Sequence, residues 1–268
     1  MNKVVKFCLL STLIGIIVAL IPTFNAFNQL QILTYKASAE NQNNSRIRFQ
    51  MPEGESQGSP EGESQGSPNN RKGAGSRGEC PKVEPPLTAL VPINPPILTS
   101  AKYPTFWFYI PYPEIQGLEA KFVFVAKPRK KEDGVYRVQF PLENTPGIIR
   151  VTLPETESPL EIDREYSWAF AVICDPEDSS QNIAISGGVR RKSISELESE
   201  LGAAVLGRDR AIIYAANGLW LDSLTSLAEL RLAKPKDDTV KTDWEDLLGA
   251  EAVKLDKFSD KPIVDCCK

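Results

Sequence analysis

The chain contains no histidine. That removes Ser-His-Asp and Cys-His catalysis, together with every zinc site that needs an imidazole ligand. Cysteine is scarce as well, and the residues present are too scattered for a Cys-x-x-Cys zinc ribbon. The one basic, glycine-rich stretch, Arg71-Lys72-Gly73-Ala74-Gly75-Ser76-Arg77-Gly78, lacks the Gly-Lys-Ser/Thr order of a phosphate loop, and no strand precedes it. No cofactor is therefore expected. Positive charge is also in deficit. The formal net charge is −4, and residues 1–39 hold three lysines (Lys3, Lys6, Lys36) and no acid, so the remainder stands near −7. An acidic chain of this kind is a poor partner for nucleic acid.

What is present begins with an export signature. Lys3 and Lys6 precede an apolar run from Phe7 to Ile21, which ends at Pro22. A basic segment followed by such a run reads as a secretory signal. The small-x-small site Ala37-Ser38-Ala39 makes residues 1–39 the signal peptide and Glu40 the mature start. The alternative is an uncleaved anchor, since apolar residues continue through Phe24, Ala26 and Phe27. That anchor would be the only route to a membrane, and the run falls short of the ~20 residues of a span. No lipobox precedes Cys8. The expected location is the periplasm or the extracellular space.

Four cysteines lie beyond residue 39: Cys80, Cys174, Cys266 and Cys267. An oxidising compartment permits disulfides among them. Cys80–Cys174 is the preferred pair, because both adjoin the expected β domain. Such a bridge closes a loop of about 95 residues, worth ~4–5 kcal/mol in the chain-entropy account. Cys266 and Cys267 read as a frayed tail (251–268), with a vicinal bridge or a link between chains as alternatives.

Residues 40–79 read as a disordered low-complexity linker. The octapeptide Pro52-Glu53-Gly54-Glu55-Ser56-Gln57-Gly58-Ser59 is repeated without change at residues 60–67. Gly, Ser, Glu, Gln and Pro cannot bury enough apolar area to offset their ordering entropy. A spacer reaching across a cell-wall layer is the functional alternative to a bland linker.

Residues 80–192 carry β signals. Tyr136, Val138 and Phe140 alternate with Val135, Arg137 and Gln139, and Ile149, Val151 and Leu153 alternate with Arg150 and Thr152. Tyr166, Trp168, Phe170, Val172 and Cys174 share one strand face. Phe122 and Phe124 oppose Val123 and Val125, and Ile183, Ile185 and Val189 mark a last strand with a bulge expected at Gly187-Gly188. Seven or eight short strands at this spacing predict an antiparallel, Ig-like β-sandwich.

From Ser193 to residue 250 the period turns helical, giving an α+β chain. Ser193-Ile194-Ser195-Glu196 reads as a capping box before leucines 197, 201 and 206. Further helices are expected at 208–217, stopped by Gly218, and at 221–233, stopped by Pro235, with an apolar stripe of Leu224, Leu227, Ala228 and Leu232. A second capping box, Thr242-Asp243-Trp244-Glu245, opens a short last helix. The middle pair resembles one tetratricopeptide unit through Tyr214, Gly218, Ser223 and Pro235, although Gly207 and Leu230 depart from that consensus. A solenoid needs ~3 or more repeats, so a lone hairpin must pack on the β domain.

The motifs Gly75–Pro81, Pro104–Pro111, Gly147-Ile148-Ile149-Arg150-Val151, Tyr166-Ser167-Trp168, Ile173-Cys174-Asp175, Gly187-Gly188-Val189-Arg190-Arg191, Gly218–Asp222 and Thr242–Leu248 form an ordered series. In that order, over about residues 71–250, they resemble a cyanobacterial family known as domain of unknown function 928. The resemblance implies an exported protein. It carries no assigned activity and so transfers no catalytic residue.

Two clusters are candidate sites. Asp175, Glu177 and Asp178 form the densest acidic loop, a candidate for calcium through oxygen ligands, against the plainer reading of a solvated turn opened by Asp-Pro. The second is Pro104-Thr105-Phe106-Trp107-Phe108-Tyr109-Ile110-Pro111, four aromatic residues in succession between two prolines. Phe106, Phe108 and Ile110 suit a sandwich core. Trp107 and Tyr109 then face outward, either covered by the helical segment or exposed as a platform for sugar rings or a protein. The favoured reading is a covered strand in a non-enzymatic, exported envelope protein for interaction or assembly, with an envelope protein or glycan as partner. A carbohydrate-binding module using Trp107 and Tyr109, and a histidine-free carboxylate hydrolase, are the alternatives.

Overall fold

A computed structural model describes residues 46–51, 71–73, 80–93, 97–113, 117–130, 134–204 and 206–266. The signal segment, the doubled octapeptide, residues 74–79 and Cys267 lie outside the described residues. Eight strands come first: β1 (Thr88–Ala89), β2 (Ile97–Thr99), β3 (Thr105–Ile110), β4 (Glu119–Lys127), β5 (Val135–Pro141), β6 (Gly147–Thr152), β7 (Glu165–Ile173) and β8 (Ile183–Arg191). Four α-helices follow among the described residues: α1 (Glu198–Ala203), α2 (Gly207–Ala216), α3 (Trp220–Ala233) and α4 (Asp238–Gly249). The chain is α+β.

The strands form two sheets, one of three strands in the order β1-β3-β6 and one of five in the order β2-β8-β7-β4-β5. Their pairings are antiparallel except one. β2 runs parallel to β8, with Ile97 opposite Val189, so an all-antiparallel sandwich does not hold. The reason is a crossing. β1 belongs to the smaller sheet and β2 to the larger, so the chain changes sheets between them and reaches the β8 edge running the same way.

Alternation sets which faces meet. Ala120, Phe122, Phe124 and Ala126 of β4 are buried with Tyr166, Trp168, Phe170 and Val172 of β7. Phe106 and Phe108 of β3 enter that layer from the other sheet: Phe108 stacks on Phe170 at 4.3 Å, and Phe106 lies 5.3 Å from Phe122 and 6.0 Å from Trp168. The inter-sheet core is thus largely aromatic, where each ring removes more apolar area from water than an aliphatic side chain.

The expected bulge at Gly187-Gly188 is absent. Trp168 pairs with Gly187 and Ser167 with Gly188 in unbroken register. The glycine serves close approach instead: a β-carbon on Gly187 would lie 2.5 Å from Trp168 Cζ2.

The helices begin and end for local reasons, two of which differ from expectation. Leu197, not the Ser193 box, precedes α1, with no side-chain cap. Ile194 and Leu197 pack instead against Leu98, Leu201 and Tyr214, and this packing overrides the capping pattern. Thr242-Asp243-Trp244-Glu245 lies inside α4, whose N-cap is Asp237, accepting from the Thr239 and Val240 amides at 3.0 and 3.2 Å. α2 ends where Gly218 takes a φ of +70°, a conformation open to glycine at little cost. Leu224, Leu227 and Ala228 of α3 are buried as the stripe predicts, but Leu232 is 48% exposed.

The packed unit also reaches past its expected ends. Arg46–Lys268 clusters as one body. Within the stretch read as linker, Ile47 is buried, the Phe49 ring meets Trp220 edge-on at 4.9 Å, and the Gln50 amide donates to Ala215 O at 3.0 Å. The Gly73 amide donates to Leu87 O at 2.8 Å. The tail is not frayed over its described length. Val253, Leu255, Phe258 and Cys266 are buried, and Ile263 bridges Ile148 in parallel on the outer edge of β6. Apolar residues spaced along the tail supply the burial that holds it.

Candidate functional site

Trp107 and Tyr109 are brought together on the outer face of β3 and sealed there, at 1% and 6% exposure. The Trp107 indole donates to Thr225 Oγ1 of α3 at 3.0 Å. The Tyr109 ring lies 5.0 Å from Phe258, and burial pushes its hydroxyl above the ordinary range. A platform for sugar rings at these two residues is excluded, because helix α3 and the tail occupy the space a ligand would need.

The acidic loop after β7 is spent on its own backbone. Asp175 Oδ1 accepts from the Glu177 amide at 2.8 Å. Asp178 accepts from the Ser180 hydroxyl and amide at 2.6 and 2.9 Å and from Gln181 at 3.2 Å, which together hold its carboxyl below the usual range. These are turn and cap bonds. Among the described residues no group of three or more His, Cys, Asp or Glu side chains is placed to hold a metal ion, so the calcium reading of Asp175, Glu177 and Asp178 falls to the turn.

Cys80 and Cys174 form a disulfide, with Cα atoms 5.3 Å apart, inside the usual range for such bridges. It ties the entry of the β region to the end of β7.

Other polar groups with catalytic chemistry are locked in structural work. Arg208 of α2 donates to both carboxylate oxygens of the buried Asp243 in α4, at 2.5 and 3.1 Å. Asp222, in the first turn of α3, accepts from the Ser100 amide at 2.9 Å and from the Ser100 hydroxyl. Burial raises the Asp222 carboxyl above its usual range, against the hydrogen bonds from Ser100 and Thr99.

The accessible chemistry lies elsewhere, in a cleft of about 270 Å³ between β4, β5, the start of β7 and the connection after β6. Tyr136 of β5 and Tyr166 of β7 line it with Glu157, Ser158, Glu161 and Arg164. Tyr136 packs edge-on to Phe122 at 6.4 Å, and burial with the nearby Glu157 charge raises its hydroxyl. Tyr166 is the fixed wall: it stacks on Phe124 at 5.3 Å, and its hydroxyl accepts from the Glu161 amide at 2.9 Å. The Arg164 guanidinium lies 5.7 Å over the Tyr166 ring and pairs with Glu161 at 2.5 Å. Aromatic faces, a hydroxyl, carboxylate acceptors and a fork of donors therefore line one concavity, just under the ~300 Å³ at which small-molecule sites begin.

The sequence pattern places Tyr136 with Val138 and Phe140, and Tyr166 with Trp168 and Phe170, on one face of each strand but does not bring the two to a site. Strand alternation reports a face. It does not report that the 153–164 connection returns over the sheet edge. The only available signal was the density of Glu157, Ser158, Glu161 and Arg164 in a connection longer than a hairpin needs.

No curated protein matches the chain. A family model described as Domain of Unknown Function (DUF928) matches residues 72–263. That span runs from the Lys72 bridge beside Thr88 to the Ile263 bridge beside Ile148, so it covers both sheets, the helices and the strap on β6. The chain belongs to the DUF928 family.

Proposed function

We propose that the protein is an exported, non-enzymatic component of a cyanobacterial cell envelope that works by interaction, and that the Tyr136 cleft holds a hydroxyl-rich glycan of that envelope. The cleft carries this reading. Sugar rings take an apolar face against an aromatic ring and hydroxyls against paired donors and acceptors, and Tyr136, Tyr166, Glu157, Ser158 and Arg164 offer that set in one concavity. Export is supported by the Lys3/Lys6 and Phe7–Ile21 signature and by the Cys80–Cys174 disulfide, which persists in oxidising compartments. In this reading the facing sheets are an Ig-like sandwich and α2–α3 a tetratricopeptide-like hairpin, both architectures of interaction proteins.

A two-carboxylate hydrolase is less well supported. It needs an acid and a second carboxylate flanking the bond, and in this cleft Glu161 is taken by Arg164.

The test is calorimetric titration of the full chain with soluble peptidoglycan and polysaccharide fragments. Binding by the wild type, at least tenfold weaker in Tyr136→Ala and without release of new reducing ends, is the expected result. Absence of binding, or equal binding by Tyr136→Ala, overturns the glycan assignment. Release of reducing ends by the wild type overturns the non-enzymatic one.

A further inference from the structure

Tyr136 of β5 lies opposite Phe124 of β4, and Tyr166 of β7 lies opposite Ala126 of the same strand. Phe124 and Ala126 are two residues apart, so strand alternation turns both tyrosines to one face of the sheet. The connection after β6 comes over that face and is pinned on both sides of Glu157. The Leu153 amide donates to Pro104 O and the Leu160 amide to Lys102 O, each at 3.0 Å. Between those pins the Glu157 amide closes a turn onto Pro154 O at 3.0 Å. Glu157 is thus fixed at the cleft wall, half-buried, with the half-buried Tyr136 lining the same cleft.

The two carboxylates of the cleft differ. Glu161 is paired with Arg164 at 2.5 Å, and the Arg164 side chain is only 14% exposed and already lies over the Tyr166 ring. The Glu157 carboxylate has no hydrogen bond or ion pair among the described residues. Its charge is felt across the cleft, where it adds to burial in raising the Tyr136 hydroxyl. Glu157, Glu161 and Arg164 are the charged residues that line the cleft, which therefore carries one net negative charge. That charge resides on the uncommitted Glu157.

We propose that the glycan taken by this cleft carries a free amino group, whose ammonium pairs with the Glu157 carboxylate while the sugar ring rests on Tyr136. The inference rests on the glycan reading of the cleft and narrows it to amino sugars. An ammonium gives Glu157 a charge-assisted hydrogen bond and a counter-charge together. A carboxylated sugar meets the open Glu157 charge and finds Arg164, the one cation of the lining, already engaged. An N-acetylated sugar offers an amide hydrogen bond but no charge, and leaves a half-buried carboxylate uncompensated. A calcium ion needs about six or more oxygen ligands, where the cleft offers one uncommitted carboxylate.

The experiment is calorimetric titration of the full chain with three soluble oligosaccharides that share one backbone and differ at one substituent. These are chitosan oligomers with a free amine, their N-acetylated counterparts, and cello-oligosaccharides with a hydroxyl in that place. The titrations are run at low ionic strength and at a pH that keeps the amine protonated. The wild type should bind the amine form more tightly than either of the others by about fivefold, the upper end for a partly exposed ion pair. Glu157→Gln should bring that ratio close to one, a comparison internal to the variant and so independent of its own stability. Glu155→Gln removes the same charge from the same connection outside the cleft lining, and should keep the wild-type ratio. Equal binding of all three oligosaccharides by the wild type, an unchanged ratio in Glu157→Gln, or an equal loss in Glu155→Gln would overturn the amino-sugar inference and leave the glycan reading standing. Absence of binding to these and to every other envelope glycan fragment would overturn both.

Discussion

The Trp107 indole N–H of β3 and the Thr225 hydroxyl of α3 meet at 3.0 Å, a polar bond across the joint between sheet and helices, alongside Ser100 to Asp222 and the Trp220 indole to Leu90 O. Thr225→Val keeps the shape and leaves a buried donor unpaired. It should destabilise the chain by about 1–2 kcal/mol in urea unfolding. A loss below a few tenths would mean that this bond adds nothing to the joint.

Arg208 and Asp243 fasten α2 to α4 in the same half of the molecule. Asp243→Ala removes the buried counter-charge of Arg208, and a loss of about 3–5 kcal/mol is expected. Replacing both together, Arg208→Met with Asp243→Leu, should return stability to within about 1 kcal/mol of wild type. A double variant as weak as the single one would show that the pair does more than neutralise itself.

Asp222 makes a pH prediction. Its carboxyl is raised by burial above the ordinary 3.8, so the folded chain binds that proton more tightly than the unfolded chain does. Between the unfolded value and the raised folded value, the unfolded state has fewer protons bound. The contribution is therefore fully present below 3.8 and lost as pH rises through the folded value. Asp222→Asn, which can still accept from the Ser100 amide and donate to its hydroxyl, lacks this loss. The difference in unfolding free energy between the two proteins should change across that window, with the wild type falling relative to the variant as pH rises. A pH-independent difference would show that Asp222 has the same proton affinity folded and unfolded.

Gly187 faces Trp168 so closely that an added methyl group has nowhere to go. Gly187→Ala should cost about 1–3 kcal/mol through overpacking. Gly202→Ala in α1, where nothing lies within 4 Å, should stabilise by about 0.5–1 kcal/mol. Denaturant midpoints of the two variants shifting in the same direction would refute this reading of the space around them.

These sites mark how far the sequence could be read. The alternating faces of β4, β6 and β7, the covered aromatic strand and the spans of α2 and α3 follow from local pattern, because period and end signals are local, whereas the Cys80–Cys174 pair follows from both cysteines adjoining the β domain. The errors came where one residue type serves two purposes. Thr242-Asp243-Trp244-Glu245 has the pattern of a capping box, and its Asp243 is instead the buried counter-charge of Arg208. The paired glycines at 187 and 188 read as a bulge, when the demand came from a tryptophan on the neighbouring strand. β2 is three residues long, with no pattern that reports direction, and only the sheet crossing makes it parallel. The Tyr136 cleft was illegible for the same reason: its two walls are brought together by tertiary structure, and no period in either segment announces the other.

The outer edge of β6 is closed by Ile148 donating to Pro262 O at 2.8 Å and by Val264 donating back to Ile148 O at 2.9 Å. All four helices lie between these partners in the chain. During synthesis β6 must wait, with bare amides, until every helix has been made and Pro262–Val264 arrives. Over that interval the exposed strand is open to capture by another chain. Ile148 is therefore an edge whose cover depends on residues made more than a hundred positions later.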